Sequence, residues 1–447
     1  MKSKVLLDKH DEPVKKGTTL LTAKPFAYVL KSKLQGQRCD FCFKRTDVRR
    51  CSGCRFVHYC GQVCQREAWP EHSAECAGFK KVAPRIVPDC ARLMGRIIMK
   101  LKKGGDEEKG QITSIRYRKF KDLMSHYSDL KNDAKRMEHF ESLVAVLSAY
   151  LGQNNLPNTV ELMGIFGRIC VNSFNILDTD MISLGTGIYL AATIIDHSCR
   201  PNAVAVFEGT TIYIRSTQDM PSLDWTKIRI SYIDLLSSSH DRRKELHANY
   251  YFLCDCAHCA DVDSESKFLN SMQCSNSGCD GAIPFAQKED DHLKCPKCTQ
   301  QVKPSRIADY QEAATFTQEQ LENMKDVAYL DVCRVVLRKQ GDLFHPLNLL
   351  RAKTLDSAFE SAIELQQWED AADCGRSLLP AYHHYYGPTH PLVGILYLKL
   401  AKIQNLTGSS EAFENAKKAE SIITITHGRN SSLYREQLLP LMHQLRS

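Results

Sequence analysis

Residues 39–76 read C-x2-C-x8-C-x2-C-x5-C-x3-C-x7-H-x3-C. The spacing offers Cys39, Cys42, Cys51, Cys54, Cys60, Cys64, His72 and Cys76 as soft ligands. Eight such ligands make two four-coordinate sites, and Zn²⁺ prefers tetrahedral sets of thiolate and imidazole. A two-residue gap lets one turn present both sulfurs to a single ion. Few large apolar residues lie in this segment, so metal is expected to stand in for a core, and chelation to unfold it. Further along, Cys254-x-Cys256-x2-Cys259 supplies three ligands and needs a fourth, for which Cys199 in Ile195–Asn202 is the candidate. Cys274-x4-Cys279 and Cys295-x2-Cys298 read as a zinc ribbon. Four thiolates leave no open coordination position, so the ribbon is expected to be structural. Fifteen of the 19 cysteines are then used. Cys90, Cys170, Cys333 and Cys374 remain as small core residues.

Composition agrees with metal rather than disulfides. The start, MKSKVLLDKHDEPVKKG, is charged throughout and lacks the apolar stretch of a secretion signal. Thiols in an unsecreted chain are read as metal ligands. No run of 18 apolar residues occurs, which argues against a membrane-spanning helix. At 447 residues the chain is too long for one core and suggests two to four domains. A net charge of +7 is mild at this length. It does not call for a nucleic acid partner, and no recognition-helix pattern is present.

The first cluster resembles the MYND finger, including Tyr59-Cys60 and Ala68-Trp69-Pro70-x-His72. The resemblance implies interleaved sites: Cys39, Cys42, Cys60 and Cys64 on one ion, and Cys51, Cys54, His72 and Cys76 on the other. It also implies binding of proline-rich peptides. Trp69 either contributes to that face or covers the zinc sites.

The region from Gly164 to Leu236 carries a second likeness. It contains Asn172-Ser173-Phe174, a Gly185-x-Gly187 turn followed by Tyr189, and Asp196-His197-Ser198-Cys199. A hairpin follows from Asn202, with Glu208-Gly209 as its turn signal. A period-two strand is expected at Ile228, Ile230 and Tyr232, before Asp234-Leu235-Leu236. Together with the cysteines downstream, these pieces resemble the SET-and-MYND-domain family of protein-lysine methyltransferases, along nearly the whole chain. The implied activity is S-adenosylmethionine-dependent N-methylation of histone or other protein lysines. Such chemistry needs a neutral amine, and a narrow aromatic channel favours it because desolvation depresses a lysine pKa. Tyrosine hydroxyls aim that amine. By resemblance Tyr232 is the catalytic tyrosine, Tyr250 lines the lysine channel and Phe252 stacks on the cofactor adenine. Asn172, Asp196 and His197 would hold S-adenosylmethionine, with His126 a further candidate. The zinc at Cys199, Cys254, Cys256 and Cys259 would pin Tyr250 and Phe252 beside the segment around His197.

Three departures from the family's pattern touch the cofactor pocket. Val5-Leu6-Leu7 stands where a Gly-x-Gly turn is expected, and no glycine precedes Gly17. Either the N-terminus is a shortened form or that wall of the pocket is gone. Asp196 replaces an asparagine, which keeps acceptor oxygens but loses two donors. Ser222-Leu-Asp-Trp-Thr-Lys-Ile228 replaces a Gly-Glu-Glu-Leu turn before the catalytic strand.

The expected architecture is an α+β multidomain chain. A SET β-fold is interrupted by the finger and a helical insertion, then followed by a post-SET zinc site and an all-α, TPR-like C-terminal domain. The boundaries are 1–38 for the first part of the SET domain, 39–76 for the finger and 77–165 for the insertion. The SET core takes 166–237, the post-SET segment 238–262, the ribbon 270–303 and the helical domain 304–447. Within the last, Val393, Leu396 and Leu400 recur at helical spacing after Pro391, and Ser410 is a candidate cap for the next helix. A strict 34-residue repeat is absent, so an ordinary bundle is the alternative to stacked repeats. Expected partners are a lysine-bearing protein, proline-rich peptides at the finger and a chaperone at the C-terminal helices. Cytoplasmic and nuclear location is expected, with a role in chromatin regulation. The rival to the enzyme is a SET-MYND scaffold that binds peptides and methylates weakly or not at all.

Overall fold

The computed structural model describes residues 12–285, 293–324 and 329–446. The chain divides into two compact units. The first holds Met1–Asp196, Ala203–Arg229 and His247–Phe252; the second holds the remainder. Val5-Leu6-Leu7, where the glycine turn is expected, lies outside the described residues.

Two small antiparallel sheets organise the first unit. Strands β1 (Thr19–Ala23) and β2 (Ala27–Leu30) open the described chain. Helices α1 (Gln62–Val82), α2 (Asp89–Lys102), α3 (Ala134–Leu151) and α4 (Thr159–Asn172) follow. Strands β3 (Ser173–Leu177), β4 (Ser183–Ile188), β5 (Ala203–Glu208) and β6 (Thr211–Ser216) come last. The sheet orders are β1-β6-β5 and β2-β4-β3. Leu21 pairs with Ile214, and Ala27 with Ile188. Strands separated by the finger and the helices therefore share sheets, which makes everything between them an insertion into one β-fold. In β6, Ile212, Ile214 and Ser216 are buried and alternate with half-buried Thr211, Tyr213 and Arg215. That is the period-two pattern of a strand with one face inward. The hairpin β5–β6 turns at Gly209, whose φ of 59° suits a residue without a Cβ.

Gly185 and Gly187 do not form a turn; both lie inside β4. A Cβ at Gly185 would meet the carbonyl oxygen of Val29 at 2.2 Å. The glycine serves close strand packing rather than chain reversal. The finger also differs from a segment held by metal alone. Val57, Tyr59 and Phe79 share one apolar core with Leu93, Met94 and Ile97 of α2 and Leu147 and Tyr150 of α3. Counting apolar residues within the finger missed this, because the partners come from outside it.

Caps fix the helices of the insertion. Asp133 and Asn158 accept backbone N–H bonds from Arg136 and Glu161 at 3.1 and 2.9 Å.

The second unit is mainly helical. The ribbon strands Ser271–Gln273 and Ala282–Pro284 pair with each other, and Met272 also bridges to Phe344. Met272, Ile283, Tyr310 and Phe344 form a common core with the ribbon cysteines. Leu349–Glu364, Trp368–Tyr386, Pro391–Leu406 and Ala412–Thr426 continue as successive helices. Gly375 lets the second of these approach Phe359 and Leu400, since a Cβ there would lie 2.8 and 2.7 Å from their ring and methyl carbons. Val393, Leu396 and Leu400 are buried, as their spacing predicts. Ser410 is not the cap of the following helix. Glu411 occupies that position and makes no side-chain capping bond. Among the described residues no helix is long and apolar enough to cross a membrane.

Candidate zinc centres and active site

The structure gathers the ligand side chains into four sets. These are Cys39, Cys42, Cys60 and Cys64; Cys51, Cys54, His72 and Cys76; Cys199, Cys254, Cys256 and Cys259; and Cys274, Cys279, Cys295 and Cys298. Within each set the ligand atoms all lie within 4.8 Å of one another. Four sulfurs, or three sulfurs and a nitrogen, at that separation fit one tetrahedral zinc. The two finger sets interleave in sequence, as the resemblance implies. Trp69 is 50% exposed and sets its ring edge-on to His72 at 6.0 Å.

The imidazole of His72 is oriented from behind. Its Nε2 faces Cys54 Sγ at 3.6 Å, and its Nδ1 lies 3.4 Å from Glu75 Oε2. Burial alone would push the Glu75 carboxyl up, but Arg92 and Arg96 outweigh it and hold it well below the usual range. A carboxylate behind a ligating histidine fixes its tautomer and raises its basicity.

In the second unit the post-SET zinc set is tied to the candidate catalytic strand. The backbone N–H of Ser198 donates to Ile230 O at 3.0 Å, and that of Tyr232 donates to His197 Nδ1 at 3.1 Å. His197 Nε2 lies 3.2 Å from Cys199 Sγ. Burial, reinforced by the Arg242 guanidinium, lowers the His197 pKa to about 4. Behind the cysteines, fully buried Arg242 pairs with Glu265 at 3.0 Å. Glu265 also accepts the Ser239 N–H.

Tyr232 stands just past the strand expected to carry it, since only Arg229–Ile230 are extended. His197 compensates, because its ring holds the Tyr232 backbone in place of a ladder partner. With Nδ1 accepting and Nε2 directed at Cys199, the ring has a protein partner at each nitrogen.

The other candidate residues lie in the first unit. Asn172 ends α4 and donates through Nδ2 to Met124 O and Arg168 O at 2.8 and 2.9 Å. Its Oδ1 is the atom it can offer a ligand. Asp196 is exposed. His126 adopts a φ of 47° and bonds Asp129 at 2.9 Å through Nδ1. The rings of Tyr250 and Phe252 lie 6.5 Å apart and are both partly exposed.

Between them is a residue that sequence reasoning passed over. Tyr251 has a φ of 61°, a left-handed conformation that non-glycine residues seldom adopt. Its hydroxyl donates to Asp133 at 3.2 Å, its ring lies 5.5 Å from that of His126, and Arg136 covers it at 5.1 Å. Arg136 also donates to the carbonyls of Ala248 and Asn249 at 2.8 and 3.0 Å. Tyr251 thus anchors the strained turn that presents its two neighbours. The doubled tyrosine was the available signal.

The class defined by these features is a zinc-stapled SET-type β-fold with a MYND insertion and a helical C-terminal region. The MYND finger family model matches residues 39–76. The chain is 29% identical to human "Histone-lysine N-methyltransferase SMYD3" over 436 residues, covering 96% of this chain and 92% of that protein. It is also 29% identical to "Histone-lysine N-methyltransferase ASHR1" of Arabidopsis thaliana, covering 94% and 89%. For "N-lysine methyltransferase SMYD2-A" of Xenopus laevis the identity is 28%, covering 92% and 90%. Along nearly its whole length the chain is similar to these named lysine methyltransferases, and its residues 39–76 match the MYND finger.

Proposed function

We propose that this protein is an S-adenosylmethionine-dependent protein-lysine N-methyltransferase. The observation that carries the proposal is the path from Tyr232 N–H through the His197 ring to Cys199. That path fixes the backbone of Tyr232 beside the zinc set, which supports the role the family resemblance gives it. By family resemblance Tyr232 and Tyr250 aim the substrate amine and exclude water from it, which keeps it neutral. S-adenosylmethionine supplies a methyl group on a positively charged sulfur when bound. The available donor set suits that ligand: Asn172 Oδ1 would accept from its ammonium, and Phe252 offers a partly exposed ring to its adenine. Asp196 would add an acceptor at the same end.

A second reading has one specific observation in its favour. Asp196 places an exposed carboxylate where the family has an asparagine, which suits a peptide-binding scaffold with a weakened cofactor site. Calorimetric titration of the full chain with S-adenosylmethionine separates the two readings. The enzyme binds it, and Tyr232→Phe retains that binding while losing methyl transfer to protein lysines. Absence of binding by the zinc-loaded protein selects the scaffold. Zinc-dependent recognition of proline-rich peptides at the half-exposed Trp69 is compatible with either. Histone and other protein lysines are the proposed substrates, with a chaperone as a partner of the helical region and nuclear and cytoplasmic sites of action.

A further inference from the structure

Three of the most deeply buried charged side chains in the first unit meet between the two zinc sites of the finger. Arg92, on α2 and so outside the finger, is 1% exposed; Asp40 and Glu75 are 2% and 3% exposed. Arg92 donates through Nη1 to Asp40 Oδ1 at 2.9 Å, and through Nε and Nη2 to Glu75 at 3.0 and 3.3 Å. Its guanidinium lies over Phe56 at 5.7 Å and Phe79 at 5.4 Å. Each carboxylate is built into one zinc site. Asp40 follows ligand Cys39 and accepts the His58 N–H at 2.8 Å, which fixes the strand leading into ligand Cys60. Glu75 backs ligand His72 at 3.4 Å and precedes ligand Cys76. Arg96, one turn along α2, donates to both Glu75 oxygens at 2.7 and 2.9 Å.

We propose that Arg92 couples the two zinc sites, so that their ions are loaded and released as a unit and only when α2 is docked. The physical reason is that one guanidinium is shared by a carboxylate from each site, so a displacement at either site reaches the other through Arg92. A shift of Arg92 would take a charged partner from buried Asp40 and one of two from Glu75, which keeps Arg96. Only arginine serves three acceptor contacts in a plane while lying against two rings; a lysine would offer one point charge. Arg92 is a positioning residue in this scheme and touches no ligand atom.

The test uses the full chain with cadmium in place of zinc, followed by cadmium NMR during removal by a chelator. The set with His72 is the one mixed sulfur–nitrogen site among the four, so its resonance identifies itself. The other finger site is assigned by the signal lost in Cys42→Ser. In the wild type both finger signals are expected to decay at one common rate. In Arg92→Lys both should decay about tenfold faster or more, and at separate rates. The ribbon signal should be unaffected. Two unrelated rates in the wild type, or an effect of Arg92→Lys on one finger site alone, would overturn the coupling. Should Arg92→Lys not fold, Asp40→Asn keeps the shape. Faster loss at the His72 site, none of whose ligands Asp40 touches, supports the proposal. An effect confined to the Cys39 site refutes it.

Discussion

The backbone N–H of Tyr232 donates to Nδ1 of His197 at 3.1 Å, and this bond decides the protonation state of the ring. A backbone N–H can only donate, so Nδ1 accepts and the proton of the neutral imidazole resides on Nε2. That nitrogen faces Cys199 Sγ at 3.2 Å. The low pKa that burial gives His197 keeps the ring neutral at physiological pH. With zinc bound, the Cys199 thiolate would therefore receive a hydrogen bond from the ring that fixes the candidate catalytic tyrosine.

Replacing His197 with alanine should disturb both ends. The Tyr232 N–H loses its partner, at a cost of about 1–3 kcal/mol where it is buried. Loss of the bond to Cys199 should speed zinc release from this site by about 10- to 100-fold. Denaturant titration and a chelator assay measure the two effects. Release at the wild-type rate would show that Nε2 does not support the thiolate.

Four ligand sets predict four zinc ions per chain. Elemental analysis of folded protein should find them, and two or fewer would defeat the assignment. Chelation should lower thermal stability in more than one step, because the finger shares its core with α2 and α3 while the ribbon shares one with Tyr310 and Phe344. Calorimetry with and without chelator records those steps. A single small shift would mean that the metals add little to either core.

The metal sites were legible in the sequence because ligand spacing is local and chemically specific. The hairpin at Gly209 and the buried stripe of Val393, Leu396 and Leu400 were legible for the same reason: both are short-range periodicities. What failed depended on distant partners. Gly185 reads as a turn residue until Val29 is seen to approach it from a strand far back in the chain. Tyr232 reads as a strand residue until His197 replaces its ladder partner. Ser410 reads as a cap, yet the chain enters that helix one residue later. Arg92 and Arg96 carried a faint signal, two arginines one turn apart amid the apolar residues of α2. Their partners Asp40 and Glu75 could not be read from it.

Within the second unit, Asp356 accepts the Tyr382 hydroxyl, and its pKa is raised to about 6. Burial is the main cause; Glu360 and Asp234 add to it, while the Tyr382 bond and Lys399 oppose it. A carboxyl whose folded pKa lies above its unfolded value binds its proton more tightly when folded. Its cost is absent at about pH 4, grows as pH rises toward about 6 and is constant above. Asp356→Asn keeps an acceptor for Tyr382 and removes the charge. At pH 7.5 the variant should be more stable than wild type by up to about 3 kcal/mol, with the gap closing toward pH 5. Comparing the two proteins by urea unfolding isolates this group, since the zinc thiolates titrate in both. A gap that does not change with pH would assign the effect to packing.

The exposed Asp196 gives the sharpest test of whether the cofactor site works. Asp196→Asn restores the family's carboxamide at a position proposed to face the amino-acid end of S-adenosylmethionine. In a site that is otherwise competent, the added donor should tighten binding by about 1 kcal/mol, or roughly fivefold. Methyl transfer should rise with it, and Tyr232→Phe in the same background should abolish the gain while leaving the tighter binding intact. That split matters, because Tyr232 is proposed to act on the amine and not to hold the cofactor. In a scaffold lacking one wall of the pocket, neither change has anything to act upon, since a single carboxamide cannot replace missing contacts. Calorimetric titration of the single and double variants, with methyl transfer measured alongside, distinguishes these cases. Binding that stays undetectable in Asp196→Asn would retire the methyltransferase reading in favour of the scaffold.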